Sequence, residues 1–454
     1  GGLDYRLDPA HRRRLDCAMI PPTATDAETA DRFRNIVVIG GGFAGCAVAR
    51  GLQRRLPNGY RLLLVSEESY TTFNPLLAEV VGASIFPEQV VAPLRQVVPP
   101  SDTAHFVMGR VDRIDLAAKT IVCETLAGLT TIPFDQLVLA FGNRARTDFL
   151  PGFAENALPI KTVGDAIEIR NVVLRRVARI ELETDPAVRA GLGHFVIIGG
   201  GFSGVEVAGE LIDFLSAIGK YYPRVRPQEL TVTLVHDKDQ LLPELPPPLR
   251  EAARRSLERR GVQFRFGTRA TEATAERLVL ASGDILAAQT LIASAGNRPN
   301  RLAESLGAPL ERGRIIVAPD FSVVGAAGVW AIGDCAHAIN AWDGGACPPT
   351  AQFAVRQGEH LSNNLRNAIA ALPTEPFRYR PRGQLATVGR LNGVAALFGM
   401  CITGLPAWLL WRAVYLSRMP TSGRKLRLWA EWTWAMLFSA DITHFRFTRS
   451  GREA

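Results

Sequence analysis

Two short runs in this chain have the composition and spacing to hold phosphate. Gly40-Gly41-Gly42-Phe43-Ala44-Gly45 and Gly199-Gly200-Gly201-Phe202-Ser203-Gly204 carry glycine at their first, third and sixth positions. Such spacing serves a tight turn, a close approach of backbone to pyrophosphate, and close packing of helix on strand, with free N–H groups aimed at the phosphates. Each run follows a buried-strand pattern, Asn35-Ile36-Val37-Val38-Ile39 or Phe195-Val196-Ile197-Ile198, and opens an apolar helix. A single glycine turn is a weak signal. Two in the same strand–turn–helix context predict two bound dinucleotides. Glu67, 22 residues past Gly45, follows the strand Arg61-Leu62-Leu63-Leu64-Val65 and offers a carboxylate to a ribose hydroxyl.

The elements that position these turns read as an α/β chain with two Rossmann-like dinucleotide-binding domains. At 454 residues it exceeds what one core usually holds. Residues 1–33, with Arg12-Arg13-Arg14 and little periodicity, read as a disordered leader. The first nucleotide domain spans 34–150 and includes the strand Phe134-Asp135-Gln136-Leu137-Val138-Leu139, which ends at Ala140-Phe141-Gly142. Pro151-Gly152 begins a second nucleotide domain over 151–296, closed by the strand Thr290-Leu291-Ile292-Ala293-Ser294-Ala295-Gly296. Residues 297–376 are expected to return to the first domain, through the strand before Gly333-Asp334 and a helix opened by Pro349-Thr350-Ala351. Residues 377–454 form a C-terminal region.

Charge is concentrated in that last region. From Arg378 onward there are twelve Lys or Arg against Glu431, Asp441 and Glu453, whereas the whole chain has a net charge of +8. Five of the seven tryptophans (Trp408, Trp411, Trp429, Trp432, Trp434) also lie there. No nucleic-acid module surrounds them, so the pattern favours an anionic lipid surface over nucleic acid. The 21 uncharged residues between Arg390 and Arg412 are long enough to span a bilayer, but Gly393, Gly399, Gly404 and Pro406 interrupt them. Short strands and then helices lying in the interface fit better, with tryptophans at headgroup depth and leucines in the acyl boundary. Packing of this tail on the protein itself, or in a homodimer contact, is the competing reading. The six cysteines form no C-x-x-C pair and no zinc spacing, which argues against a dithiol reductase and a metal site.

Taken together these residues resemble the two-dinucleotide flavoproteins, and most of all the membrane-associated type II NADH:quinone oxidoreductases. The resemblance rests on both glycine turns, Asn74-Pro75-Leu76-Leu77, Ala140-Phe141-Gly142, Gly333-Asp334, Pro349 to Gly358 and Phe377-Arg378-Tyr379-Arg380. It implies FAD on Gly40, Gly42 and Gly45, and NADH on Gly199, Gly201 and Gly204, with Gly142, Gly296 and Ala351 beside the cofactors. It also implies that Asp334 bonds the flavin ribitol; capping the next helix is the plainer role, and the two are compatible. Gln352 and Gln357 would line the meeting place of quinone and flavin, Gln352 ranking first because the two are only loosely co-facial. Glu206 would lie near the nicotinamide or, more simply, complement its helix dipole.

The chain departs from the family at several points. Ser66 stands where an acid is usual, which leaves Glu67 to substitute. His236-Asp237 stands where a glutamate is usual, yet no arginine follows directly, so NADH is favoured over NADPH. Phe141 replaces a threonine. The expected activity is non-proton-pumping electron transfer from NADH through FAD to a membrane quinone, by a peripheral protein on the cytoplasmic face of the cell membrane. The alternatives are a sulfide:quinone oxidoreductase, which needs a second cysteine beside Cys347, and a flavoprotein acting as a reductase subunit or redox-sensing partner.

Overall fold

The computed structural model describes residues 33–294, 296–438 and 440–444. The expected leader therefore lies outside the described residues, apart from Phe33. The chain divides into two compact units, one made of residues up to Thr71, Pro93–Asn143 and Pro299–Arg380, the other of Thr72–Ala92, Arg144–Arg298 and Pro381 onward.

In the first unit a seven-stranded sheet runs in the order Val329–Ala331, Gln136–Leu139, Arg34–Ile39, Tyr60–Ser66, Ala104–Asp115, Thr120–Thr125, Gly128–Pro133. Its first five strands are parallel, and the last two add antiparallel pairs. The Arg34–Ile39 strand is buried from Asn35 on, as a central parallel strand covered on both faces must be. Helix Phe43–Arg54 follows it, and helix Ala351–Ile369 packs along that helix through glycine. A Cβ at Gly358 would lie 2.5 Å from the Ala44 carbonyl oxygen and 2.7 Å from the Ala47 methyl.

The second unit has a five-stranded parallel sheet in the order Ala157–Pro159, Thr290–Ala293, His194–Ile198, Thr231–Val235, Val262–Arg265. Helix Val163–Ile180 begins at a capping box between Thr162 and Asp165, and helix Phe202–Ile218 follows the central strand. Beyond Pro381 three antiparallel strands, Gly383–Thr387, Gly393–Leu397 and Met400–Thr403, lead into helices Leu405–Arg418 and Ser422–Leu437. No helix among the described residues is long and apolar enough to cross a membrane.

These two helices correct one expectation. Trp408, Trp411 and Trp432 are buried in the protein and only Trp429 and Trp434 are exposed. Positions 408, 411 and 415 recur at helical spacing and share one stripe, so that face goes inward while Leu405 and Leu409 stay outside.

The helix pairing in the first unit is directly testable. Gly358→Val should lower stability by about 2 kcal/mol or more, because its new carbons meet backbone that cannot move aside. Urea unfolding checks this, and an unchanged midpoint contradicts the packing.

Candidate nucleotide and quinone site

Both glycine turns take the same local form. Gly40 and Gly199 have φ of +112° and +117°, which side chains rarely adopt, and their N–H groups donate to Val65 and Val235 carbonyls at 2.8 and 2.9 Å. A Cβ at Gly45 would lie 1.8 Å from the Gly40 oxygen, and one at Gly204 would lie 1.9 Å from the Gly199 oxygen. Gly42 and Gly201 are different. Each is the extended N-cap of its helix, makes no side-chain cap, and has open space where a Cβ would point. The first turns of both helices lack acidic residues. Each turn therefore presents uncapped N–H groups and a positive dipole end to open space, as a pyrophosphate requires.

In the first unit Glu67 is exposed just past the strand Tyr60–Ser66. Gly142 (φ +64°) lies past the strand Gln136–Leu139, with nothing near its Cβ direction. Gly333 (φ +72°) lies against Ala44 in the first turn of helix Phe43–Arg54, which sets half-buried Asp334 at the same edge. The Gly333 N–H donates to Gln357 Oε1 at 2.7 Å, so this buried glutamine holds the bend in place. Gln352 points elsewhere: its Nε2 donates to the Tyr379 hydroxyl at 2.7 Å. Thr350 caps the helix whose first turn holds half-buried Ala351 and Gln352. Burial pushes the Cys335 thiol up to about 12 and also raises that of Cys347.

In the second unit Ser294 Oγ donates to the Ile198 and Gly199 carbonyls at 3.0 and 3.1 Å, bracing the turn. Gly296 (φ +85°) accepts from the Arg146 N–H at 3.1 Å. The His236 ring lies over Gly200, with Nδ1 3.4 Å from Asp237 Oδ1, and burial lowers its pKa. Glu206 is one turn into its helix and buried, where it accepts from the Thr387 N–H at 3.3 Å. Burial, aided by Glu79 and Glu210, raises its pKa to about 8.

Tyr379, Glu79, Glu210 and Arg412 were not singled out as site residues from sequence. Glu210 had a signal, because it lies one turn after Glu206 on the same largely apolar helix. Glu79, within Leu77-Ala78-Glu79-Val80-Val81, is an acid in an apolar run.

The chain matches the pyridine nucleotide-disulphide oxidoreductase family over residues 34–358. It is 30% identical to a type II NADH:quinone oxidoreductase of Staphylococcus saprophyticus, over 82% of this chain and 92% of that protein. Its identity to the type II NADH:quinone oxidoreductase Ndh of Mycobacterium tuberculosis is 29%, over 91% and 90%. The structure of NDH2 from Plasmodium falciparum in complex with NADH has the same fold, with a TM-score of 0.84 at 18% identity, covering 91% of this chain and all of that one. The chain thus belongs to the pyridine nucleotide-disulphide oxidoreductases and, within them, to the type II NADH:quinone oxidoreductases.

The open face of each turn yields a clean separation of folding from binding. Gly42→Val and Gly201→Val meet no neighbour and keep an ordinary backbone, so both variants should fold with unchanged circular dichroism. Gly42→Val should purify without flavin. Gly201→Val should stay yellow but lose NADH affinity by an order of magnitude or more, roughly 1.4 kcal/mol per factor of ten. Retention of both ligands by both variants contradicts the assignment.

Proposed function

We propose that the chain is a non-proton-pumping NADH:quinone oxidoreductase that binds FAD at Gly40, Gly42 and Gly45, binds NADH at Gly199, Gly201 and Gly204, and reduces a membrane quinone. The observation that carries this is the pair of uncapped, glycine-opened helix N-termini in a chain related over nine-tenths of its length to such an enzyme. FAD held at the first turn would supply the two-electron redox chemistry between a nicotinamide hydride and a quinone. Asp334, fixed by the Gly333–Gln357 hydrogen bond, and Glu67 offer carboxylates to the hydroxyls of the first nucleotide. The helix opened by Ala351 supplies a positive dipole end that favours developing negative charge. Gln352 and Tyr379 present a polar pair suited to a quinone oxygen. His236 and Asp237 stand where the second nucleotide's ribose is expected, and the Asp237 carboxylate repels a 2′-phosphate, so NADH is preferred to NADPH.

The same reading makes the protein peripheral, on the cytoplasmic face of the membrane. Phe398 (77% exposed) lies in the turn between two C-terminal strands, and Leu409 (53%), Trp429 (55%) and Leu437 (74%) lie on the C-terminal helices, with Arg418, Arg424, Lys425 and Arg427 among them. This combination suits the boundary between acyl chains and anionic headgroups. A homodimer built on this face is the competing outcome. Sulfide oxidation is less favoured, because it needs reactive thiols and both Cys335 and Cys347 are held protonated by burial.

Two measurements test these statements. Anaerobic NADH should bleach the flavin and a soluble quinone should restore it; bleaching by sulfide, or no recovery with quinone, contradicts the activity. The triple variant Leu409→Glu, Trp429→Ser, Leu437→Ser should lose cosedimentation with anionic phospholipid vesicles by about tenfold, each lost apolar side chain weakening partition, while NADH still bleaches it. Unchanged sedimentation, or a change in oligomeric state instead, contradicts the lipid surface. Deleting everything after residue 404 is a poorer test, because it also removes buried Trp408, Trp411 and Trp432.

A further inference from the structure

Helix Val163–Ile180 in the second unit carries three arginines beside its buried face. The core stripe runs through Ile169, Val173, Val177 and Ile180. Val172, Arg175, Arg176 and Arg179 fall at i, i+3, i+4 and i+7, so they share the adjoining stripe. Together they line a cavity of about 340 Å³. That lies at the small end of ligand sites, which run from roughly 300 to 1,000 Å³.

The three guanidiniums are unequally matched. Arg175 Nη2 lies 2.7 Å from Glu168 Oε1, and Arg179 Nη2 lies 4.0 Å from Glu183 Oε2, whose other oxygen accepts from the Thr184 and Asp185 N–H groups. Arg189, in the next helix Pro186–Gly193, is taken up by Glu229 at 2.8 Å. Arg176 has no carboxylate among the described residues, and the charges that act on it are Arg175 and Arg179. Its Nη1 and Nη2 donate to Oε1 and the backbone oxygen of Gln289 at 3.2 and 3.0 Å, while its buried Nε has no acceptor. The Gln289 N–H donates to the Gly191 carbonyl at 2.9 Å, which fixes the group that Arg176 leans on. Burial lowers the Arg176 pKa, and the two flanking arginines lower it further. Arginine in the last turn of a helix complements the negative dipole end, which accounts for Arg179. Arg176 lies before that turn, half-buried between two like charges.

A half-buried guanidinium with no counter-ion, flanked by two that are half-exposed, suits an oxyanion brought from outside. We propose that this groove binds a phosphoryl group carried on a small organic body, with Arg176 and Arg179 holding its oxygens and Val172 and the arginine methylenes lining the rest. A phosphomonoester brings close to two charges and three strong acceptor oxygens, more than a carboxylate offers to the same donors. The groove is separate from the nucleotide cradle of its own unit. Gln289 precedes the strand Thr290–Ala293, whereas Ser294, at the other end, braces the second glycine turn, and parallel sheets take dinucleotides at their carboxyl ends. A soluble phosphomonoester and a lipid headgroup present this same chemistry.

Calorimetric titration of the full flavin-loaded chain with glycerol 3-phosphate, with and without saturating NAD⁺, tests the site. Wild type should bind one equivalent, unaffected by NAD⁺ and more weakly at high salt. Arg176→Gln should weaken binding by about tenfold or more. Arg179→Gln, at an exposed position, should also weaken it, which keeps the test decisive if Arg176→Gln does not fold. The rate of flavin bleaching by NADH should be the same in all of them. Cosedimentation with phosphatidylcholine vesicles, with and without phosphatidic acid, separates the two sources. Heat from the soluble probe with sedimentation equal in wild type and variants assigns the groove to a soluble phosphomonoester. A silent titration, with the phosphatidic acid effect lost in the variants, assigns it to a lipid headgroup. Displacement of the probe by NAD⁺, equal affinity in wild type and both variants, or neither heat nor a variant-dependent vesicle effect overturns the site.

Discussion

Contact between a glycine α-carbon and a glycine carbonyl closes each nucleotide turn, and the remainder of each unit is arranged to preserve it. Gly45 lies so near the Gly40 oxygen, and Gly204 so near the Gly199 oxygen, that any side chain would force helix from strand. With the turn shut, the helix N-terminus has no cap of its own and faces open space. Parallel strands on either side fix the height of the turn, and in the first unit Gly358 lets the Ala351–Ile369 helix lie against the same helix. A binding site for an anion is thereby built from backbone alone.

That local origin is why the turns could be read from sequence. Glycine spacing, a β-branched strand and an apolar helix are all short-range features, and the helix after Thr350 was legible for the same reason. Side-chain partners were harder. Gln357 appears in sequence as a helical glutamine near the quinone, yet it is buried and its oxygen is taken by the Gly333 amide. Of the carboxylate cluster, Glu210 and Glu79 each had a local signal, but their meeting with Arg412 comes only through tertiary packing. The tryptophans lie between these cases: composition treats all five alike, whereas in the fold Trp408, Trp411 and Trp432 face inward and Trp429 and Trp434 outward.

The C-terminal region consequently has two faces with different physics. Its inner face brings aromatic rings and one guanidinium to a group of buried carboxylates. Its outer face carries apolar side chains among basic ones.

The central claim is that one chain builds two nucleotide cradles, of which one retains a flavin dinucleotide and the other exchanges a nicotinamide dinucleotide. The most direct measurement is chromatography of the nucleotides released on denaturing the purified protein, paired with calorimetric titration of the intact protein with NAD⁺. The account predicts a single FAD per chain and a single additional NAD⁺ site. A colourless protein, release of FMN, or FAD filling both cradles would contradict it.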